Sequence, residues 1–406
     1  MNIKEIIKRE NLVLLGISLS MLGVPMGMYF TYLFPIVKWT WLIMFFSILF
    51  IVDTKNLRRF IFPSKSKMLG IILIFQLILL IYGFFSGFHL TESKYIYFHL
   101  YIICLCISYS TRKVPTNINK LPQSVFLISL LGNIYGAYLS SIGMIMGEEW
   151  FDIKQRIGDI VLEPITASSC SAINIVAGIF MRKNHPFTKF LFILSIVCGF
   201  YLFLITNKRT FVLFVIFALL IYSYKNISFT WKSLQKLFVT CAIGLIVLNI
   251  ARAYIPDLND KVSHLFEHFY RGIQTLFGNR QSGDLTGSAI ARVEQRNVAF
   301  REFETNATVF NYIFGKGYFF AFIDAPLLQS YLEMGLIGLF FYIRIVVLYP
   351  ISNALTLRKM NNGLLFPLVM SFYPFLQMFS AGTIQGYDVY TNICLLAFIL
   401  NKQKNK

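Results

Sequence analysis

Hydrophobic and polar positions in this chain come in long blocks, with apolar runs broken by connectors of a few polar residues. A helix crossing a ~30 Å hydrocarbon layer needs ~20 consecutive apolar residues, because lipid tolerates no unpaired backbone groups. On that basis the pattern predicts twelve membrane spans, over 12–34, 36–52, 68–88, 95–110, 123–146, 165–181, 190–206, 211–224, 237–254, 327–350, 363–383 and 384–400. One polar stretch is too long to be a connector and runs from about Pro256 to Ala325. The expectation is an all-α, polytopic integral membrane protein. It would be a single transmembrane domain over 1–406 with about 12 transmembrane helices, and one large helical extracytoplasmic loop, 256–325, inserted between spans nine and ten.

The loop has its own periodicity. Leu258, Val262, Leu265, Phe266, Phe269, Ile273, Leu276 and Phe277 recur at helical spacing behind Pro256 and Asp257, and Gly278 ends the run. That pattern predicts an amphipathic helix. A second helix is expected from Ser288 to Thr305. At ~100° per residue, Ala289, Val293, Phe300 and Phe303 share an arc, with Arg296 inside it, Arg292 at its edge and Arg301 nearly opposite Arg292. An arginine in an apolar stripe either snorkels to lipid head groups or faces a partly buried anion. Two arginines one turn apart suit a diphosphate.

Composition agrees with the pattern. The chain is 56% hydrophobic and 14% charged, with a mean hydropathy of +0.64, where soluble domains carry roughly 25% charged residues. Orientation follows from the cations, since short cytoplasmic loops retain them. With the N-terminus inside, the inner segments hold 22 of the 37 Lys and Arg, whereas the short outer loops hold only Lys38, Lys94, Lys154, Arg156, Lys208 and Arg209. Both termini are therefore expected in the cytoplasm and the long loop outside. The net charge of +18 becomes a topological signal with attraction to anionic inner-leaflet lipid, and no nucleic-acid partner is expected. Cys104, Cys106, Cys170, Cys198, Cys241 and Cys394 all fall inside predicted spans and read as small apolar packing residues. No disulfide framework, metal-ligand spacing or cofactor motif is visible, and the first apolar run lacks a signal-peptide cleavage site.

The outer face is enriched in arginine: eight Arg against six Lys, while the inner segments carry six Arg against sixteen Lys. Topogenesis does not distinguish the two residues. A planar guanidinium that grips phosphate through two hydrogen bonds does, which makes Arg156, Arg209, Arg292 and Arg296 candidates for a pyrophosphate site. The alternative is surface ion pairing with the loop's acids, among them Asp257, Asp260, Glu267, Asp284, Glu294, Glu302, Glu304 and Asp324. Glu333 lies about six residues inside the tenth span, and an ionisable group at that depth marks a functional site by default, paired with a loop arginine or Arg209. Asp324 sits just before that span, where it is either a base with a raised pKa or a helix cap beside Pro326. His264 and His268 are one turn apart without a carboxylate at ligand spacing, the pattern of surface histidines. Trp150, Phe151, Tyr318, Phe319 and Phe320 fit sugar stacking or an interfacial aromatic belt equally well.

The run from Ser288 through Arg292, then Phe314, Gly315, Lys316 and Gly317, then Asp324 to Gly338 (DAPLLQSYLEMGLIG) resembles the signature of the O-antigen ligase and O-antigen polymerase (Wzy) superfamily. In ligases that signature is an arginine helix, a GxG turn and HNxxLxxxxExGxxG entering a membrane span. Aligned on Glu333, Gly335 and Gly338, this chain has Asp324 in place of the His and Ala325 in place of the Asn, which favours the polymerase branch. The Lys208-Arg209-Thr210 turn is similar to the family's arginine turn. The resemblance covers about the last half of the chain.

It implies a bacterial inner-membrane glycosyltransferase of polysaccharide biosynthesis, building O-antigen or capsule. The enzyme would pass a growing glycan from undecaprenyl pyrophosphate to a lipid-linked repeat unit without a metal. Asp324 and Glu333 would be its catalytic carboxylates, Arg156, Arg209, Arg292 and Arg296 its pyrophosphate ligands, and Gly315, Gly317, Gly335 and Gly338 its turn and packing glycines. Membrane lipid and a Wzz-type chain-length regulator are the implied partners. The rival readings are an O-antigen ligase and a lipid-linked oligosaccharide flippase, which would need charged residues lining a path through the midplane.

Overall fold

The computed structural model describes residues 9–34, 37–59, 66–85, 93–145, 164–181, 185–206, 209–226, 288–305, 307–318, 325–355, 362–378 and 386–400, with 263, 267, 320, 323 and 384. The first half of the chain supplies α1 (Arg9–Leu33), α2 (Trp39–Ile51), α3 (Lys67–Phe85), α4 (Ser93–Thr111), α5 (Leu121–Ile145), α6 (Pro164–Phe180), α7 (Pro186–Thr206) and α8 (Arg209–Asn226). The second supplies α9 (Ser288–Thr305), α10 (Val309–Phe314), α11 (Pro326–Tyr342), α12 (Tyr349–Ala354), α13 (Asn362–Ser371), α14 (Tyr373–Gln377) and α15 (Tyr387–Leu400). Among the described residues there is no strand.

Apolar helices stand at every predicted span except the ninth, 237–254, which lies outside the described residues, as does most of the helix expected behind Pro256. Among the described residues, five helical stretches are long and apolar enough to cross a membrane: Arg9–Leu33, Lys67–Phe85, Ile118–Ser141, Pro186–Leu204 and Pro326–Ala354. Six others, such as Trp39–Ile51 and Asp388–Leu400, are shorter apolar helices. The predicted eleventh span is broken into α13 and α14, where Pro374 offers no N–H to the preceding turn. Past Tyr342 the tenth span widens into a π-helical turn, Ile343–Leu348, just before Pro350.

The core runs through the last helix. Every residue from Val389 to Ile399 is buried, as expected of a helix apolar on all sides. α15 packs on α13, α4, α3 and α1. Tyr109 stacks on Phe398 at 4.6 Å between ring centroids, and the free thiols of Cys106 and Cys394 lie 3.5 Å apart. The periphery is apolar too. On α7, Phe190, Ile193 and Val197 are 60%, 60% and 61% exposed, one outward stripe at helical spacing that only lipid would cover.

Helix contacts inside the bundle use small and polar residues, as membrane packing requires. Asn133 of α5 donates to Asn174 of α6 (3.1 Å) and to the Ser195 carbonyl of α7 (3.0 Å). Of the cysteines, Cys106, Cys170 and Cys394 are buried, Cys198 is half-buried and Cys104 is exposed on the helix surface.

One end of the bundle is tied by ions. Asp53, in the connector after α2, meets Arg9 at 2.7 Å and Arg112 at 3.4 Å. Burial raises the Asp53 carboxyl, but the two guanidiniums outweigh it and hold the group below its ordinary value.

Candidate functional site

The site begins at an interruption in α11. Gly335 has φ 64° and ψ −157° in the middle of the helix, a region essentially confined to glycine that costs other residues about 1–3 kcal/mol. The break frees the carbonyls of Leu332 and Glu333 from their helical partners. They are taken instead by the backbone N–H groups of Lys316 (2.9 Å) and Gly317 (3.0 Å), which lie in a turn with Gly315 at φ 77° and Gly317 at φ 109°.

The fit leaves no room for side chains. A Cβ on Gly315 would overlap the backbone of Glu333 and Met334, and a Cβ on Gly335 would overlap the backbone of Ile313 and Phe314. The two glycine motifs, separate in the sequence, are therefore the two halves of one backbone lock. Helix α10 aims the turn: a capping box between Thr308 and Asn311 starts it, and the Gly315 N–H closes it on the Asn311 carbonyl at 2.7 Å. Gly338 lies one turn after Met334, where an added Cβ would meet the Met334 side chain and the Ser330 carbonyl.

Glu333 sits inside the lock and is 0% exposed. Gln329, one turn earlier, donates its amide to Glu333 Oε1 (2.8 Å) and accepts the Ile384 N–H (3.3 Å). The same loop segment is held by Tyr390, whose hydroxyl donates to the Ile384 carbonyl (2.7 Å). Removing a carboxylate from water costs several kcal/mol, so a fold that spends this much structure around one points to use of the group.

Helix α9 lies on the same unit and spans Ser288–Thr305, the range its sequence predicts. Phe303 is 0% exposed and packs with Ala299, Ile323 and Leu332. Its ring is 5.5 Å from those of Tyr312 and Tyr331. Lys316 closes the end of the helix by donating to the Glu302 carbonyl (2.6 Å), with its ammonium over Phe303 (5.3 Å) and Phe320 (5.0 Å). Arg296, two turns before Phe303, is half-buried with its Nε out of contact with solvent, while Arg301 is exposed.

The buried arc differs from the expected one. Phe300, expected inside, is 39% exposed, and the arc is centred on Arg296, Ala299 and Phe303. Ala299 and Phe303 share an apolar cluster with Ile323 and Leu332, and that contact selects the buried face.

The other predicted residues divide as follows. Arg292 lies in α9 one turn before Arg296, and Arg209 is the first residue of α8, but both side chains are outside the described residues. So are Asp324 and Arg156, as well as Cys241, His264, His268, Trp150, Phe151 and Phe319. Tyr318 is not a surface aromatic: it is 5% exposed and its hydroxyl meets His99 Nε2 at 2.5 Å. The Gly317 amide is bonded to α11, which draws the next residue into the bundle.

Three residues escape the sequence reading. Gln329 is recognisable only as the helical i−4 neighbour of Glu333. His99 looks like an isolated polar residue in the fourth span. Asp388, whose carboxylate accepts from the Gln377 amide at 3.3 Å, is an ionisable group in an apolar helix and carries the depth signal that singled out Glu333. Among the described residues no three His, Cys, Asp or Glu side chains converge as a metal set requires.

Among the described residues the protein is all-helical, with apolar helices long enough to cross a membrane and one of them broken at Gly335. No protein-family model matches the chain, and no curated protein matches it.

Proposed function

We propose that the protein is a membrane glycan polymerase that uses polyprenyl-pyrophosphate-linked oligosaccharide on the outer side of the cytoplasmic membrane. The observation that carries the reading is the lock between Gly315–Gly317 and Glu333–Gly335. It unites in one body an arginine-bearing helix and a buried carboxylate, the two kinds of group that this transfer needs. The resemblance of the same residues to the Wzy superfamily supports it independently of the geometry.

The reaction is a substitution at the anomeric carbon. A hydroxyl of the incoming lipid-linked repeat unit forms the new C–O bond. The bond from that carbon to the pyrophosphate of the growing chain breaks, and polyprenyl pyrophosphate leaves with the electron pair. Arg296, with Arg292, Arg209 and Arg156, neutralises the departing diphosphate through paired hydrogen bonds. Asp324, next in sequence to the Ala325 cap of α11, takes the hydroxyl proton. Glu333 orients the acceptor from within the lock. Undecaprenyl is the expected lipid and a Wzz-type regulator the expected partner.

The test is chain growth by the purified protein on lipid-linked repeat units. Asp324→Asn is expected to lower turnover by about 10² to 10⁴, the usual contribution of a general base. A near-normal Asp324→Asn with a crippled Glu333→Gln moves the base to Glu333. Full activity in both sinks the catalytic assignment. In a deletion strain, a surface glycan of single repeats marks a polymerase, an acceptor without glycan marks a ligase, and lipid-linked units trapped at the inner face mark a flippase.

A further inference from the structure

A polar contact anchors the lock to the first half of the bundle. Tyr318 directly follows Gly317, whose N–H holds the Glu333 carbonyl. The Tyr318 hydroxyl meets His99 Nε2 of α4 at 2.5 Å, across 219 residues of chain, and the rings stand edge to face at 5.7 Å. The other ring nitrogen, Nδ1, lies 2.7 Å from Gln76 Oε1 of α3. A glutamine Oε1 only accepts, so Nδ1 carries the ring proton and Nε2 takes the proton of the tyrosine hydroxyl. All three side chains are within 5% of complete burial. A phenylalanine at 318 would fill the same volume without the hydroxyl, and a buried imidazole is costly unless both nitrogens are matched. Packing alone therefore does not account for the pair.

We infer that His99 is a positioning residue for the acceptor-orienting carboxylate: through Tyr318 it fixes the Gly315–Gly317 turn, and through the turn's two backbone hydrogen bonds it fixes Glu333. Gln76 sets the imidazole tautomer that makes this possible. The chain of contacts runs from α3 and α4 to Tyr318, then to the Lys316 and Gly317 amides, then to the Leu332 and Glu333 carbonyls. The part that concerns catalysis rests on the proposed polymerase reading. The part that concerns geometry does not.

The experiment has two readouts, on Tyr318→Phe, His99→Ala and the double variant in detergent or nanodiscs. The first is hydrogen–deuterium exchange at the amides of Lys316 and Gly317. Both are expected to be protected in the wild-type protein and to exchange at least ~10-fold faster in either variant, at a temperature where Tyr318→Phe is fully folded. The second is steady-state chain growth. A misplacement of about 1 Å at the substrate costs of order 10²-fold, so kcat per folded protein is expected to fall ~10- to 100-fold with KM near its wild-type value. The double variant should lose no more than the worse single one, because the two residues act as one unit.

Unchanged exchange in Tyr318→Phe and His99→Ala overturns the inference. So does faster exchange with full kcat, and so does a loss of activity that only follows the amount of folded protein. If the wild-type protein builds no polymer, the polymerase reading fails and the exchange measurement still decides whether His99 holds the turn.

Discussion

Gly335 concentrates the most stringent demand on a single residue. Its positive φ and the backbone of Ile313 against it exclude a side chain on separate grounds. Gly335→Ala is therefore expected to destabilise the protein by more than about 2 kcal/mol, since the dihedral penalty alone is ~1–3 and the overlap adds to it. Gly23→Ala is the control: its new Cβ would meet only the side chain of Met44, at 3.1 Å and 3.7 Å, and its unfolding midpoint should move by a few degrees at most. Thermal unfolding of the purified variants reads the difference, and equal midpoints would show that the lock is not formed. The sequence made Gly315, Gly317, Gly335 and Glu333 visible as candidates. It could not show that they form one unit, because the hydrogen bonds that join them cross between segments and the sign of a glycine's φ is not written in residue type.

Among the elements, α9 shows the clearest divergence from expectation. Its ends were legible, since Ser288 and Thr305 bracket a run without breakers. Its rotation was not. The helix is mostly polar, so three or four apolar residues define several nearly equal arcs, and contact with Leu332 on a distant segment selects among them. The selected face has Arg296 on its buried side and Arg301 in solvent. Replacement by lysine keeps the charge and removes the bidentate fork. Arg296→Lys is expected to lower chain growth at least ~10-fold at matched expression, and Arg301→Lys to leave it within about twofold. Equal tolerance at the two positions would reduce Arg296 to an interfacial anchor and remove the diphosphate site from α9.

For the molecule as a whole, the spans were readable because the thickness of a bilayer dictates helix length before any tertiary contact is made. Departures occur where prolines act, at the division of α13 from α14 and at the π-helical turn before Pro350. The centrality of α15 was not readable, since a helix apolar on every side has the same composition whether protein or lipid surrounds it. Orientation rests on the cation distribution and has a direct check. In a background without native cysteines, a membrane-impermeant maleimide applied to intact cells should modify Val309→Cys, at a position 77% exposed beside α9. It should leave Lys55→Cys, in the connector after α2, unmodified until the cells are opened. The reverse pattern would put the lock on the cytoplasmic side, where a lipid-linked repeat unit awaiting polymerisation is not found.

The lock also imposes an order on assembly. Ribosomes deliver residues 315–317 before 332–335, so the amides of Lys316 and Gly317 emerge while their acceptor carbonyls have not yet been made. Until α11 has been threaded into the bilayer and has broken at Gly335, nothing holds the turn, and Tyr318 cannot settle against an α4 inserted long before it. The lock therefore forms only after α11 has been made, and a nascent chain stopped short of Gly335 carries the first eight helices and no lock.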